Sequence, residues 1–78
     1  MEARNRYELL KVLKAEGLYD ELVAQGVISL TTANWLDVYE HYRRECLENQ
    51  KTIAVQFVGD FWNVSPRNVY RIINYFES

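Results

Sequence analysis

Val58-Gly59-Asp60-Phe61-Trp62-Asn63-Val64-Ser65-Pro66-Arg67-Asn68-Val69-Tyr70-Arg71-Ile72-Ile73 is the stretch whose reading decides the fold. It reads as the end of one helix, a tight turn and the start of another. Helices joined by so short a turn cross closely, and the first of them needs a small side chain at the crossing. Gly59 supplies it; a mid-helix glycine costs about 1 kcal/mol against alanine, so packing must account for it. Val58 and Trp62, four apart, form that helix's inward face. Asn63 stands where the turn needs a residue that tolerates positive φ, and Val64 plugs the turn into the core. Ser65 suits the cap of the second helix and Pro66 its first position, where no amide hydrogen is needed. The proline also holds Ser65 extended, as an N-cap must be. Val69, Ile72, Ile73 and Phe76 then face inward.

Upstream, the pattern predicts three more helices. Residues 5–16 carry an apolar stripe of Tyr7, Leu9, Leu10, Val12 and Leu13, with Lys11 and Lys14 outward and Gly17 as the C-terminal cap. Residues 18–25 form a short helix with Leu18, Leu22 and Val23 inward, closed by Gly26. A long helix over residues 30–49, capped by Ser29 or Thr31, places Trp35, Tyr39, Tyr42 and Cys46 on one face, flanked by Leu36, Val38 and Leu47. Glu40 and Arg44 form an i,i+4 pair on the other. Thr52 is expected to cap the fourth helix, with Ile53, Ala54, Phe57, Val58 and Phe61 as its apolar side. Ile53 to Val58 is an apolar run, but no stretch alternates cleanly enough for a strand. The expected class is all-α: a compact five-helix bundle, one domain over residues 1–78, with a scaffold in 1–50 and the two-helix unit in 52–76.

The composition supports a packed core, at 49% hydrophobic and 14% aromatic residues in 78. Charge is unevenly spread. Residues 1–50 carry six Lys/Arg and nine Asp/Glu, net −3, whereas residues 51–78 carry three and two, net +1. The C-terminal third is the place for an anionic partner, although it lacks the strongly basic footprint of a tight nucleic-acid binder. Cys46 is the one cysteine, so no internal disulfide forms, and no Cys/His spacing suggests zinc. No apolar run approaches the ~20 residues that span a bilayer, and the stretch from Met1 to Arg6 lacks a signal peptide's apolar segment. A cytoplasmic location without a membrane partner is expected.

The string Val64-Ser65-x-x-x-Val69-Tyr70-Arg71-Ile72 resembles the turn and recognition helix of the helix-turn-helix superfamily, found in many regulators, transposases and recombinases. The resemblance covers about 25 residues. It departs from the family pattern at Asn63, where glycine is usual, at Gly59, where alanine is commoner, and in its few basic residues. In that family the second helix lies in the major groove and its outward N-terminal residues meet base edges. The resemblance therefore implies double-stranded DNA as partner and Ser65, Arg67, Asn68, Tyr70, Arg71 and Asn74 as contacts. Arg67 and Arg71, four apart, suit guanine or phosphate. Asn68 or Asn74 suits adenine, and Tyr70 a phosphate or a thymine methyl. Lys51 and the fourth helix's N-terminus suit backbone phosphate.

Plainer readings stand beside these. Arg67 and Arg71 also read as solvated charges, and Tyr70 as a surface aromatic. Trp35, Trp62, Tyr39 and Tyr42 read as core, Cys46 as a small buried hydrophobe, and Tyr75 as a partner contact or a terminal cover. His41, the lone histidine, has no partners in a catalytic arrangement, and there is no phosphate loop, paired-carboxylate site or metal spacing. The expectation is no enzyme and no cofactor. The expected function is that of a small DNA-binding regulator or accessory factor, of the kind phages and mobile elements encode, with a homodimer raising its affinity. The alternative is a protein-interaction module that uses the same helices without DNA, which the acidic first fifty residues and the aromatic excess favour.

Overall fold

The computed structural model describes residues 5–78; residues 1–4, part of the expected domain and of the amino-terminal stretch read above, lie outside the described residues. Five helices follow one another: α1 (Arg6–Ala15), α2 (Tyr19–Ala24), α3 (Leu30–Glu45), α4 (Lys51–Trp62) and α5 (Pro66–Glu77). No strand occurs among the described residues. α3, α4 and α5 pack on one another, and α1 rests on α5 and carries α2.

Local chemistry sets most of the boundaries. The Asn5 and Ser29 side chains accept the Glu8 and Thr32 amides and so start α1 and α3. Gly17 and Gly26 take φ of 77° and 76°. Behind them the Leu18 and Val27 amides reach back to the Leu13 and Leu22 carbonyls, which closes α1 and α2. α3 is shorter than the sequence suggests. Its last turn tightens, with Leu47 and Glu48 amides donating three residues back, and the Asn49 amide and side chain both take the Glu45 carbonyl. The chain thereby reverses, and Leu47, expected to flank the core, is 85% exposed. α4 begins at Lys51 with Gln50 at its cap position, so Thr52 lies inside the helix and does not cap it.

The core is built from Leu36, Tyr39, Val55, Val58, Val69, Ile73 and Phe76. Tyr39 sits at its centre, edge-on to Tyr7 at 4.9 Å and tilted against Phe76 at 5.2 Å between centroids. Its hydroxyl donates to Glu77 Oε2 at 2.9 Å, which ties α3 to the end of α5. Tyr42 is buried beside it, and Trp35 and Cys46 are half-buried against the core. Tyr75 covers a junction: it stacks edge-on with Trp35, and Arg6 lies over its ring while donating to its carbonyl. Leu9 and Leu18, assigned inward by periodicity, are substantially exposed because α1 and α2 lie at the margin of the three-helix core. Glu40 pairs with Lys14 of α1 at 3.0 Å, not with Arg44.

The inward face of α4 differs from the periodic reading. Ala54, Val55, Val58 and Gly59 are buried, whereas Ile53, Phe57 and Phe61 are 41%, 51% and 71% exposed. Apolar residues cover almost the whole girth of this helix, so periodicity alone leaves its rotation open. Gly59 sets it: the glycine must abut the turn and α5, and Phe57, two residues away and thus about 200° round the helix, must face out. Trp62 is also turned out of the core, 37% exposed, and its indole N–H donates to His41 Nδ1 at 3.0 Å across the surface.

Candidate nucleic-acid interface

The turn between α4 and α5 has three residues. Asn63 ends α4 in the left-handed conformation, at φ 56° and ψ 46°. The Val64 amide returns to the Gly59 carbonyl at 2.8 Å, and Val64 packs half-buried on the core. Ser65 is extended, its hydroxyl accepts the Asn68 amide at 3.3 Å, and Pro66 opens α5. Gly59 makes the close crossing possible: a β-carbon there would meet the Val64 carbonyl oxygen at 2.6 Å and Val69 at 3.7 Å. Each of these local assignments agrees with the reading from sequence.

α5 is the most sharply two-sided helix of the chain. Val69, Ile72, Ile73 and Phe76 are buried, while Arg67, Asn68, Tyr70, Arg71 and Asn74 are exposed. Arg67, Arg71 and Asn74, at spacings of four and three, share the outward face. Tyr70 lies on the flank toward α4, where the Lys51 ammonium stands 5.7 Å from its ring centroid. Asn68 lies on the other flank and, with the outward Arg71, lines a cleft of about 610 Å³ with Trp35, Val38, Trp62 and Val64. The structure thus unites six of the seven expected contacts on and beside one helix face. Ser65 stands apart, since its hydroxyl oxygen is committed to capping α5.

The electrostatics of that face are locally one-sided. From Asn63 to Phe76 the chain has two arginines and no carboxylate. Glu77, the next acid, is turned to the Tyr39 hydroxyl. Among the described residues no carboxylate pairs with Lys51, Arg67 or Arg71. Asp60, the one acid of α4, is nine residues along the helix from Lys51, about 13 Å at 1.5 Å per residue. The first turn of α4 has no side-chain cap, so its free amides remain open to solvent beside Lys51. Sequence reasoning passed over Arg6, which the fold carries from the other end of the chain to Tyr75. A separation of 69 residues left no pattern by which to find it.

No protein-family model, curated protein or solved structure matches the chain. Among the described residues no group of His, Cys, Asp and Glu is arranged to hold a metal ion, and no helix is long and apolar enough to cross a membrane.

Proposed function

We propose that the protein binds double-stranded DNA, with α4 and α5 as a helix-turn-helix and α5 as the helix that enters the major groove. One observation carries this reading: the outward face of α5 presents Arg67, Arg71 and Asn74 in line, with Lys51 alongside, and no carboxylate among the described residues neutralises them. The guanidinium forks suit guanine edges or phosphates, and the Asn74 amide suits adenine. Lys51 and the uncapped amides of α4 suit a backbone phosphate, which would hold the register of the helix in the groove. In this reading Ser65 positions α5 and leaves base contact to its neighbours. Such a module would serve a small regulator or accessory factor.

Three cations give weak, salt-sensitive binding. If Lys51, Arg67 and Arg71 each neutralise one phosphate, log K falls with log salt at a slope of about −2.7. Fluorescence anisotropy of a labelled duplex across a salt series measures it. The reading predicts a negative slope between about −0.9, if both arginines read bases, and −2.7, with binding lost in the Arg67→Ala/Arg71→Ala double variant. Binding that is indifferent to salt, or unchanged in the double variant, contradicts it.

A second reading, contact with protein, is favoured by a separate observation: the exposed apolar stripe of Ile53, Phe57 and Phe61 on α4.

A further inference from the structure

We infer that two copies of this chain pair through α4, with Phe57 on the two-fold axis. Ile53, Phe57 and Phe61 recur every four residues and are 41%, 51% and 71% exposed. They form one row along a single helix, whereas Leu9 and Val27 meet in a cleft between α1 and the link after α2, and Leu18 and Leu30 belong to other elements. Isolated apolar residues are ordinary on a surface, whereas a contiguous row with two phenylalanines marks a contact. The stripe itself contains no charged residue. At its end Phe61 is steadied by edge-on contacts with His41 at 4.9 Å and Trp62 at 5.3 Å, so this aromatic surface is held in place before any partner arrives.

The area fits a second copy. Aromatic side chains carry roughly 150–250 Å² each, so the exposed parts of Phe57 and Phe61, with Ile53, come to on the order of 300 Å². A small, weak interface buries under about 1,200 Å² in total, or about 600 Å² per partner, and with a little over half of it apolar calls for about 340 Å². The spacing is also self-complementary. When two α4 helices run antiparallel about Phe57, each Phe57 meets its own counterpart and each Ile53 meets the partner's Phe61. That is the isologous contact a two-fold dimer needs.

The proposed dimer rests on the DNA reading for its purpose, not for its existence. Gly59 faces α5 and Phe57 faces about the opposite way. Pairing through the stripe therefore leaves both α5 helices on the outer flanks. Three successive helix–helix steps of 8–10 Å separate them by roughly 24–30 Å, close to the ~34 Å between major grooves one turn apart on a duplex. Two weak modules then bind as one.

Sedimentation of the full chain without DNA, over a concentration series into the millimolar range, tests the pairing. The expected result is a monomer–dimer equilibrium whose Kd rises at least about tenfold, the loss of one aromatic anchor, in Phe57→Ser and again in Phe61→Ser. Both positions are exposed, so the variants keep the wild-type helical circular dichroism. A Lys11→Gln variant, on α1, dimerises as the wild type does. A wild-type chain that stays monomeric overturns the inference, and so does a dimer that both serine variants leave intact. Neither outcome bears on whether a single copy binds DNA, which the salt series reads separately.

Discussion

The carbonyl oxygen of Val64 occupies the space that a side chain at Gly59 would need: a β-carbon built on Gly59 falls 2.6 Å from it. Backbone cannot swing aside as a flexible side chain can. Gly59→Ala gains about 1 kcal/mol of helix propensity but must push the turn away from α4, at a cost of about 1–3 kcal/mol for overpacking. The expected net effect is destabilisation, read as a lower urea midpoint with little change in m. An alanine variant as stable as the wild type would show that the turn can move.

Asn63 holds φ at 56°. Glycine relieves that conformation and most other residues pay about 1–2 kcal/mol for it. Asn63→Gly is expected to leave the thermal midpoint level or slightly raised, and Asn63→Val to lower it. At the next helix start, Ser65→Ala removes the cap on the Asn68 amide and is expected to cost about 1 kcal/mol. Equal midpoints for the glycine and valine variants would refute the strain at this turn.

These turn residues were legible because each carries a backbone requirement that its neighbours share. Gly59, Asn63, Ser65 and Pro66 all point to one geometry, and the structure has it. The rotation of α4 was less legible: seven apolar residues in ten, from Ile53 to Trp62, satisfy several inward faces equally. The crossing at Gly59 breaks that tie, and it excludes Phe57 and Phe61 from the core. Trp62 leaves the inward face that its spacing from Val58 predicts, for a related reason. It ends its helix, where the chain turns away and the indole finds His41 instead of the interior. The exposed face of α5 was readable from its two-sidedness, while Arg6 and the meeting of Lys51 with Tyr70 depend on the tertiary fold.

Two buried phenols, Tyr39 and Tyr42, make the fold sensitive to alkali. Burial raises both the Tyr39 and Tyr42 hydroxyls above the ordinary value of 10.0. The unfolded chain ionises them near that value while the folded chain still holds them neutral. Their contribution is therefore intact below pH 10 and is lost as pH rises from there through the folded values. Stability is expected to fall by up to about 1.4 kcal/mol per pH unit for each tyrosine. Tyr42→Phe removes one ionisation, and its stability should fall less steeply with pH in urea melts above pH 10. An identical slope in the variant would assign the loss to other groups.

The DNA reading separates affinity from stability. Arg67 and Arg71 are exposed and unpaired among the described residues, so their alanine variants should melt within about 0.5 kcal/mol of the wild type. Each should nevertheless lose about 1–3 kcal/mol of binding if it reads a guanine, and lower the salt slope by about 1 if it holds a phosphate. Thermal melts and anisotropy on the same samples distinguish the two. Variants that lose stability and binding in parallel would point to misfolding and not to lost contacts.

The most direct measurement is an NMR titration of the full chain with duplex DNA at low salt. The amide and side-chain signals of Arg67, Tyr70, Arg71 and Asn74 are expected to shift together, with Lys51 following. Signals from the α2 residues Tyr19–Ala24 should stay in place. Signals of Arg67, Tyr70 and Arg71 that do not move under those conditions would contradict the DNA reading.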